Sequence, residues 1–78
     1  MAYLTGKLIT PRTAKEARAL IGKRVTYLRK ADIDYSGRGL FFPRTGTIKA
    51  VFRKNIALDD EGNFELYMPD LVEMVENV

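Results

Sequence analysis

The stretch from Asp32 to Lys54 constrains the fold most strongly, because it joins a polar, glycine-rich loop to the clearest strand in the chain. Side chains at every second position of residues 45–54 share a face, which is the period of a β-strand. One predicted face carries Ile48, Ala50 and Phe52. Gly46 stands near the start of this strand, where it indicates a β-bulge or the close approach of another backbone. We expect the rest of the chain to build a sheet around this strand.

A short helix is predicted before the sheet, in the region of residues 10–21. Thr13 and Glu16 have the spacing of a capping box, and Gly22 is suited to end the helix. Residues 23–30 alternate and predict the first strand. Later strands are predicted at residues 56–58, 64–68 and 72–75. The fold class that follows is mainly β, with one added helix.

From Gly22 onward, the succession of strand, long polar loop, strand and hairpins resembles an SH3-like small barrel. Residues 32–39 lie where this family has its long RT-type loop. Residues 44–48, Arg-Thr-Gly-Thr-Ile, look like the Gly-x-Ile entry of Tudor- and KOW-like barrels, and residues 69–73 resemble the 3₁₀ turn before the last strand. The resemblance implies a five-stranded barrel over residues 22–78. The chain has no tryptophan, which departs from the peptide-binding SH3 signature, and its style also resembles small phage or prophage accessory proteins.

Composition restricts the chemistry of this chain. Its 78 residues are enough for one domain, residues 1–78, and they include neither cysteine nor histidine. Disulfides, cysteine-based zinc sites and the commonest general base are therefore excluded. No apolar run approaches the ~20 residues that span a bilayer, and the N-terminus lacks the pattern of a signal peptide. We expect a cytoplasmic, non-catalytic protein with no cofactor, no metal and no membrane partner.

Charge is distributed unevenly along the chain, although the formal net charge is only +3. All 13 Lys and Arg residues lie in residues 1–54, whereas residues 55–78 contain seven acids and no basic residue. Cations at strand ends form a candidate basic stripe across neighbouring strands, consisting of Arg24, Arg29, Lys49 and Arg53. The alternative is that such cations protect strand edges and pair with acids of the C-terminal part, namely Glu65, Glu73 and Glu76.

The loop contains half of a calcium-binding pattern. Asp32, Asp34, Ser36 and Gly37 match the first positions of an EF-hand loop, which needs oxygen ligands at alternate positions and a glycine at the turn. Pro43 stands where that loop needs a bidentate glutamate. We therefore interpret the two aspartates as acceptors for nearby backbone N–H groups.

Aromatic and basic residues alternate through the loop and its exit, and four of them are candidate binding residues: Tyr35, Arg38, Phe42 and Arg44. Stacking faces next to cations are what single-stranded nucleic acid requires of a protein surface. The alternative is that at least one of Phe41 and Phe42 enters the core of so small a protein and that Arg38 is solvated on a mobile loop. We expect Tyr35 to be the more exposed aromatic residue.

These observations favour a non-catalytic module that binds another protein through the 32–44 loop. A nucleic-acid-binding barrel that uses Arg38, Arg44 and the strand-end cations is the alternative, and a small enzyme is the third interpretation. We expect a monomer or a weak homodimer joined through an uncovered edge strand. The acidic run at residues 59–61 is interpreted as a solvated hairpin turn.

Overall fold

The structure, a computed structural model, describes residues 3–34 and 36–77. It contains five strands and one α-helix in these residues, joined by two short 3₁₀ turns. In chain order the elements are α1 (Ala14–Arg18), β1 (Arg24–Arg29), the 3₁₀ turn Lys30–Asp32, β2 (Arg44–Phe52), β3 (Asn55–Asp59), β4 (Asn63–Tyr67), the 3₁₀ turn Met68–Asp70 and β5 (Leu71–Glu76). The strands form one antiparallel sheet in the order β4-β3-β2-β1-β5. The mainly β class with one short helix is confirmed.

The helix is shorter than the predicted region but begins where the sequence indicates. The Glu16 N–H donates to the Thr13 hydroxyl over 3.1 Å, and the Thr13 N–H donates to the Glu16 carboxylate over 3.2 Å. This capping box satisfies two of the N–H groups that a helix start leaves unpaired. Gly22 has a φ of 92°, which suits glycine and turns the chain into β1. Ala17 is the helix residue that enters the core.

The core lies between the sheet and α1, and it is built mostly from alternate strand residues. Tyr27, Ile56, Leu66 and Met74 are completely buried there. Leu28 is buried as well, although it is the neighbour of Tyr27 on β1 and belongs to the opposite face. The β1–β5 pair is therefore covered on both faces, unlike the rest of the sheet.

A β-bulge in β2 changes which of its residues face the core. The pairing register with β3 shifts between Ile48 and Ala50, so that Lys49 has no opposite residue. Beyond the bulge, Val51 faces buried Ile56, and Phe52 is 60% exposed. The prediction that Ile48, Ala50 and Phe52 share one face is therefore wrong, because one extra residue reverses the alternation.

Gly46 confirms the predicted close approach of another backbone. A Cβ atom at this position would lie 3.0 Å from the Asp59 carbonyl oxygen, which is tighter than nine in ten real Cβ contacts. The predicted bulge itself lies three residues further on, at Lys49. A residue without a side chain thus allows β2 and the end of β3 to meet at this point.

The N-terminal arm, residues 3–10, runs beside β5 and covers its outer edge. Leu8 forms an antiparallel bridge with Val75, and the Ile9 N–H donates to the Met74 carbonyl over 2.8 Å. The buried Glu73 carboxylate accepts the N–H groups of Tyr3 and Leu4 at 2.7 and 3.0 Å. Paired edges do not attract other strands, so β4 is the sheet edge left open among the described residues.

Candidate binding site on the 32–44 loop

The loop between β1 and β2 folds back on itself, and hydrogen bonds join its two sides. The Asp34 N–H donates to the Leu40 carbonyl over 2.9 Å, and the Phe42 N–H donates to the Asp32 carbonyl over 2.8 Å. Ile33 and Phe41 face each other in an isolated antiparallel bridge. These bonds place residues 36–39 at an exposed tip, where Gly37 and Gly39 adopt positive φ angles of 90° and 70°.

Asp32 is held by an arginine at the base of the loop. The Arg29 guanidinium donates two bonds of 2.8 Å to the two carboxylate oxygens, and the Arg29 N–H adds a third at 3.3 Å. Bidentate geometry of this kind is the strongest form of the arginine–carboxylate pair. The bond from Arg29 outweighs the partial burial of Asp32 and lowers the pKa of the Asp32 carboxyl group.

Asp34 holds the exposed tip of the loop. Its carboxylate accepts the Ser36 N–H at 2.9 Å, an Asx-type turn, and accepts the Arg38 guanidinium at 2.6 Å. Hydrogen bonding from Ser36, with a smaller contribution from Arg38, lowers the pKa of the Asp34 carboxyl group. The interpretation of Asp32 and Asp34 as acceptors for local N–H groups is thus confirmed. Each carboxylate also forms an ion pair with an arginine, Asp32 with Arg29 and Asp34 with Arg38.

Arg44, the third loop arginine, turns inward rather than toward a ligand. Its guanidinium donates to the Asp60 carboxylate over 2.7 Å, and the same oxygen accepts the Tyr27 hydroxyl at 2.7 Å. Burial and the bond to Asp60 raise the pKa of Tyr27 to about 12. Burial alone acts to raise the pKa of the Asp60 carboxyl group, but the bonds from Tyr27 and Arg44 outweigh it and lower that pKa.

Two guanidinium groups lie against the ring of Phe64. The central guanidinium carbon is 4.5 Å from the ring centroid for Arg44 and 5.0 Å for Arg29. The Tyr27 ring lies 6.1 Å from the same centroid. Cation–π attraction of this kind is worth about 0.5–2 kcal/mol, depending on solvent exposure. Arg29 and Arg44, which belong to two different predicted groups, are therefore parts of one structural cluster.

The outer side of the loop presents apolar side chains instead of charges. Phe42 is 63% exposed, and Leu40 and Tyr3 are 44% and 43% exposed. The Tyr3 ring meets the Phe41 ring edge-on, with centroids 5.7 Å apart. A shallow groove of about 360 Å³ lies beside Tyr3 and Phe41. It is lined by Tyr3, Ile33, Asp34, Gly37, Gly39, Leu40 and Phe41. We call this groove together with Leu40 and Phe42 the loop face.

Three of the four predicted binding residues are described by the structure, and their surroundings differ. Phe42 is exposed, as a binding residue must be, while Arg38 is paired with Asp34 and Arg44 with Asp60. Tyr35 lies outside the described residues. Of the basic stripe, Arg29 is paired with Asp32, whereas Arg24, Lys49 and Arg53 are exposed. Among the predicted acid partners, Glu76 lies 3.5 Å from the Lys23 ammonium.

Asp60 is the important residue that sequence reasoning missed. The acidic run 59–61 was expected to be a solvated turn, and for Asp60 this is wrong, because its side chain is only 9% exposed. Asp59 and Asp60 are identical in type and adjacent, so nothing local distinguishes them. The buried hydroxyl of Tyr27 is the one signal that a partner was required.

Two further findings concern the whole of the described chain. In residues 3–34 and 36–77, no group of three or more acidic, histidine or cysteine side chains is placed to hold a metal ion. No helix in the same residues is long and apolar enough to cross a membrane. In comparisons with known proteins, no family model, curated protein or solved structure matches this chain.

Proposed function

We propose that the protein is a non-catalytic binding module and that the loop face binds another protein through an apolar contact. The observation that carries this proposal is the exposure of Phe42 and Leu40, the second of which lines an apolar groove. Large apolar side chains grouped on a surface are typical of a protein interface. The partner that fits presents an apolar side chain to the groove.

Charge favours a protein over nucleic acid at this face. Three arginines around the loop have carboxylate partners at 2.6–2.8 Å: Arg29, Arg38 and Arg44. A phosphate would have to displace these carboxylates or bind beside them, and either arrangement weakens the attraction on which nucleic-acid binding depends. A partner that contributes apolar area requires no such exchange.

The proposal also covers the fold family and the origin of the protein. We propose that the sheet is the wall of an SH3-like barrel, and the 3₁₀ turn Met68–Asp70 directly before β5 supports this. From the resemblance to small phage proteins, we propose that this chain is an accessory protein in the cytoplasm. In that role it docks onto a host or viral complex. We further propose that the chain forms a single domain and is a monomer or a weak dimer. The open edge of β4 is the candidate dimer contact.

The proposal is tested by affinity capture from nuclease-treated extract of the native cell, followed by quantitative mass spectrometry. The baits are the wild type, Phe42→Ser and the double variant Leu40→Ser/Phe42→Ser. We expect one partner to be enriched by the wild type, reduced by the single substitution and lost with the double one. We expect Phe42 to be one of the minority of interface residues whose loss costs more than about 1 kcal/mol, which corresponds to a reduction of about fivefold or more.

Phe52→Ser is the matched control, because Phe52 is 60% exposed and lies on the outer face of β2 instead of the loop. It should retain the partner, and thermal melting should show that every bait is folded. Equal loss of the partner with Phe52→Ser would contradict the loop face as the site. Capture that disappears after nuclease treatment would show that nucleic acid bridges bait and partner.

A further inference from the structure

A second surface, at the opposite end of β2, combines exposed aromatic rings with cations that form no ion pair with an acid of residues 3–34 and 36–77. Phe52 ends β2, Tyr67 ends β4, and both face Asn55 of β3 in the pairing register. Their Cα atoms are therefore separated by two strand spacings, roughly 10 Å. Phe52 is 60% exposed and Tyr67 is 47% exposed, so the outer face of the sheet carries two adjacent stacking surfaces.

A cleft of about 430 Å³ lies beside the β2–β3 turn, and two of the residues that line it, Arg53 and Met68, directly follow Phe52 and Tyr67 in the chain. Its lining combines apolar and basic side chains: Arg12, Thr13, Ala14, Arg53, Lys54, Met68 and Pro69. The Met68 N–H donates to the Lys54 carbonyl over 2.7 Å, which fixes the β2–β3 turn beside the cleft. We call Phe52, Tyr67 and this cleft the turn surface.

The three cations of the turn surface differ from the loop arginines in their partners. Arg12 donates to the carbonyl oxygens of Leu71 and Val72 at 3.1 and 3.3 Å, which holds the guanidinium in place without neutralising it. Within the described residues, no carboxylate forms an ion pair with Arg12, Arg53 or Lys54. This is the reverse of the arrangement around the 32–44 loop.

The acids of the outer sheet face lie further from the turn. Glu65 is opposite Ala57, one row beyond Phe52 and Tyr67, and Asp59 is opposite Thr47 and Asn63 near the other end. The face is therefore basic and aromatic near the β2–β3 turn and acidic near the β3–β4 turn. An anionic ligand is directed to the first of these two ends.

We propose that the turn surface binds single-stranded nucleic acid. Phe52 and Tyr67 offer stacking faces for bases, and Arg12, Arg53 and Lys54 contact the phosphates that flank them. Aromatic rings next to unpaired cations suit this ligand better than an acidic peptide, which would use the charges but not the flat rings. The site is separate from the loop face and does not depend on the function proposed for it.

The test measures fluorescence anisotropy of labelled oligothymidylate and oligouridylate of about 15 nucleotides at several salt concentrations. We expect salt-dependent binding by the wild type. Phe52→Ala and Tyr67→Ala should each weaken it by roughly tenfold, as loss of one stacked base does. The double variant Arg53→Ala/Lys54→Ala should make the slope of log affinity against log salt shallower by about 1.4, because each phosphate contact contributes about 0.7.

Two matched controls come from the loop. Phe42→Ala removes a ring of equal exposure, and Arg38→Ala removes an exposed cation that is paired with Asp34. Both should bind the oligonucleotides as the wild type does, and thermal melts should show that all variants are folded. Absence of binding at low salt, or equal losses with the controls, overturns the proposal. Binding of polyglutamate with rejection of both oligonucleotides would overturn it in favour of an acidic protein partner.

Discussion

The loop face and the turn surface share a local composition but differ in the state of their cations. In each, a phenylalanine that is about 60% exposed lies within two residues of an arginine: Phe42 near Arg44, and Phe52 beside Arg53. Around the loop, the arginines are held by aspartates at 2.6–2.8 Å. At the turn, the cations have no acidic partner among the described residues.

A cation next to an aromatic ring therefore indicates a phosphate site only when no carboxylate is already bonded to that cation. Arg29 and Arg44 stabilise the fold through Asp32, Asp60 and the ring of Phe64. In the part of the chain that the structure describes, the side chains of Arg53 and Lys54 form no ion pair with a carboxylate. Four substitutions test whether pairing with carboxylates is what distinguishes the two surfaces.

The largest effect is expected from Asp60→Ala, which removes the shared acceptor of Tyr27 and Arg44. Leaving a buried hydroxyl and a guanidinium without a partner should lower the free energy of unfolding by about 2–3 kcal/mol. Urea denaturation measures this change. The adjacent Asp59→Ala is the control and should change stability by less than about 0.5 kcal/mol, because Asp59 is exposed. Equal effects of the two substitutions would show that the loop arginines are not structural.

The second prediction concerns Asp32→Asn and acid. The pKa of Asp32 is lower in the folded protein than its ordinary value of 3.8, so its bond to Arg29 adds stability above that pH. This stability disappears as the pH falls through the folded pKa. The variant should be less stable by about 1 kcal/mol at pH 7, and this gap should narrow as the pH falls below 3.8.

Denaturation at several pH values measures the gap between the two proteins. Glu65→Gln, which removes an exposed acid, should change stability at pH 7 by less than about 0.5 kcal/mol. A gap between Asp32→Asn and the wild type that stays constant down to pH 2 would show that the Asp32 charge is not involved.

The third prediction concerns the backbone of the turn surface. Arg53 has a φ of 56°, a conformation that favours glycine over any residue with a side chain. Arg53→Gly should therefore raise the free energy of unfolding by about 0.5 kcal/mol while it weakens oligonucleotide binding. Arg53→Ala removes the same charge but keeps the strain, so it should weaken binding without the gain in stability. A stabilised Arg53→Gly variant with wild-type binding would remove Arg53 from the proposed site.

The smallest effect is expected from Asp34→Asn, which releases the charge of Arg38 at the loop tip. The loop face should then attract nucleic acid more strongly, with an affinity increase of about twofold and a salt slope steeper by about 0.7. Glu61→Gln makes the same change in net charge without releasing an arginine and serves as the control. Identical increases in both variants would mean that net charge, and not pairing, distinguishes the two surfaces.

Much of the fold could be predicted from local patterns. The capping box at Thr13 and Glu16, the turn at Gly22 and the mainly β class follow from residue type and spacing, and all are present. The site could be predicted only in part. Exposure of Phe42 was one of two alternatives, while the pairing of Arg44 with Asp60 joins residues 16 positions apart that no local pattern connects.

Residue type and spacing are sufficient to predict the strand periods and the start of the helix. They also show which charged and aromatic residues are available for interactions. Tertiary structure decided which side of β2 faces water, because the bulge at Lys49 reverses the alternation and exposes Phe52. It also decided which arginines are neutralised, since carboxylates reach them across strands and turns. The physical reason is common to both: strand pairing is cooperative over the whole sheet, and a one-residue shift in register relocates every side chain beyond it.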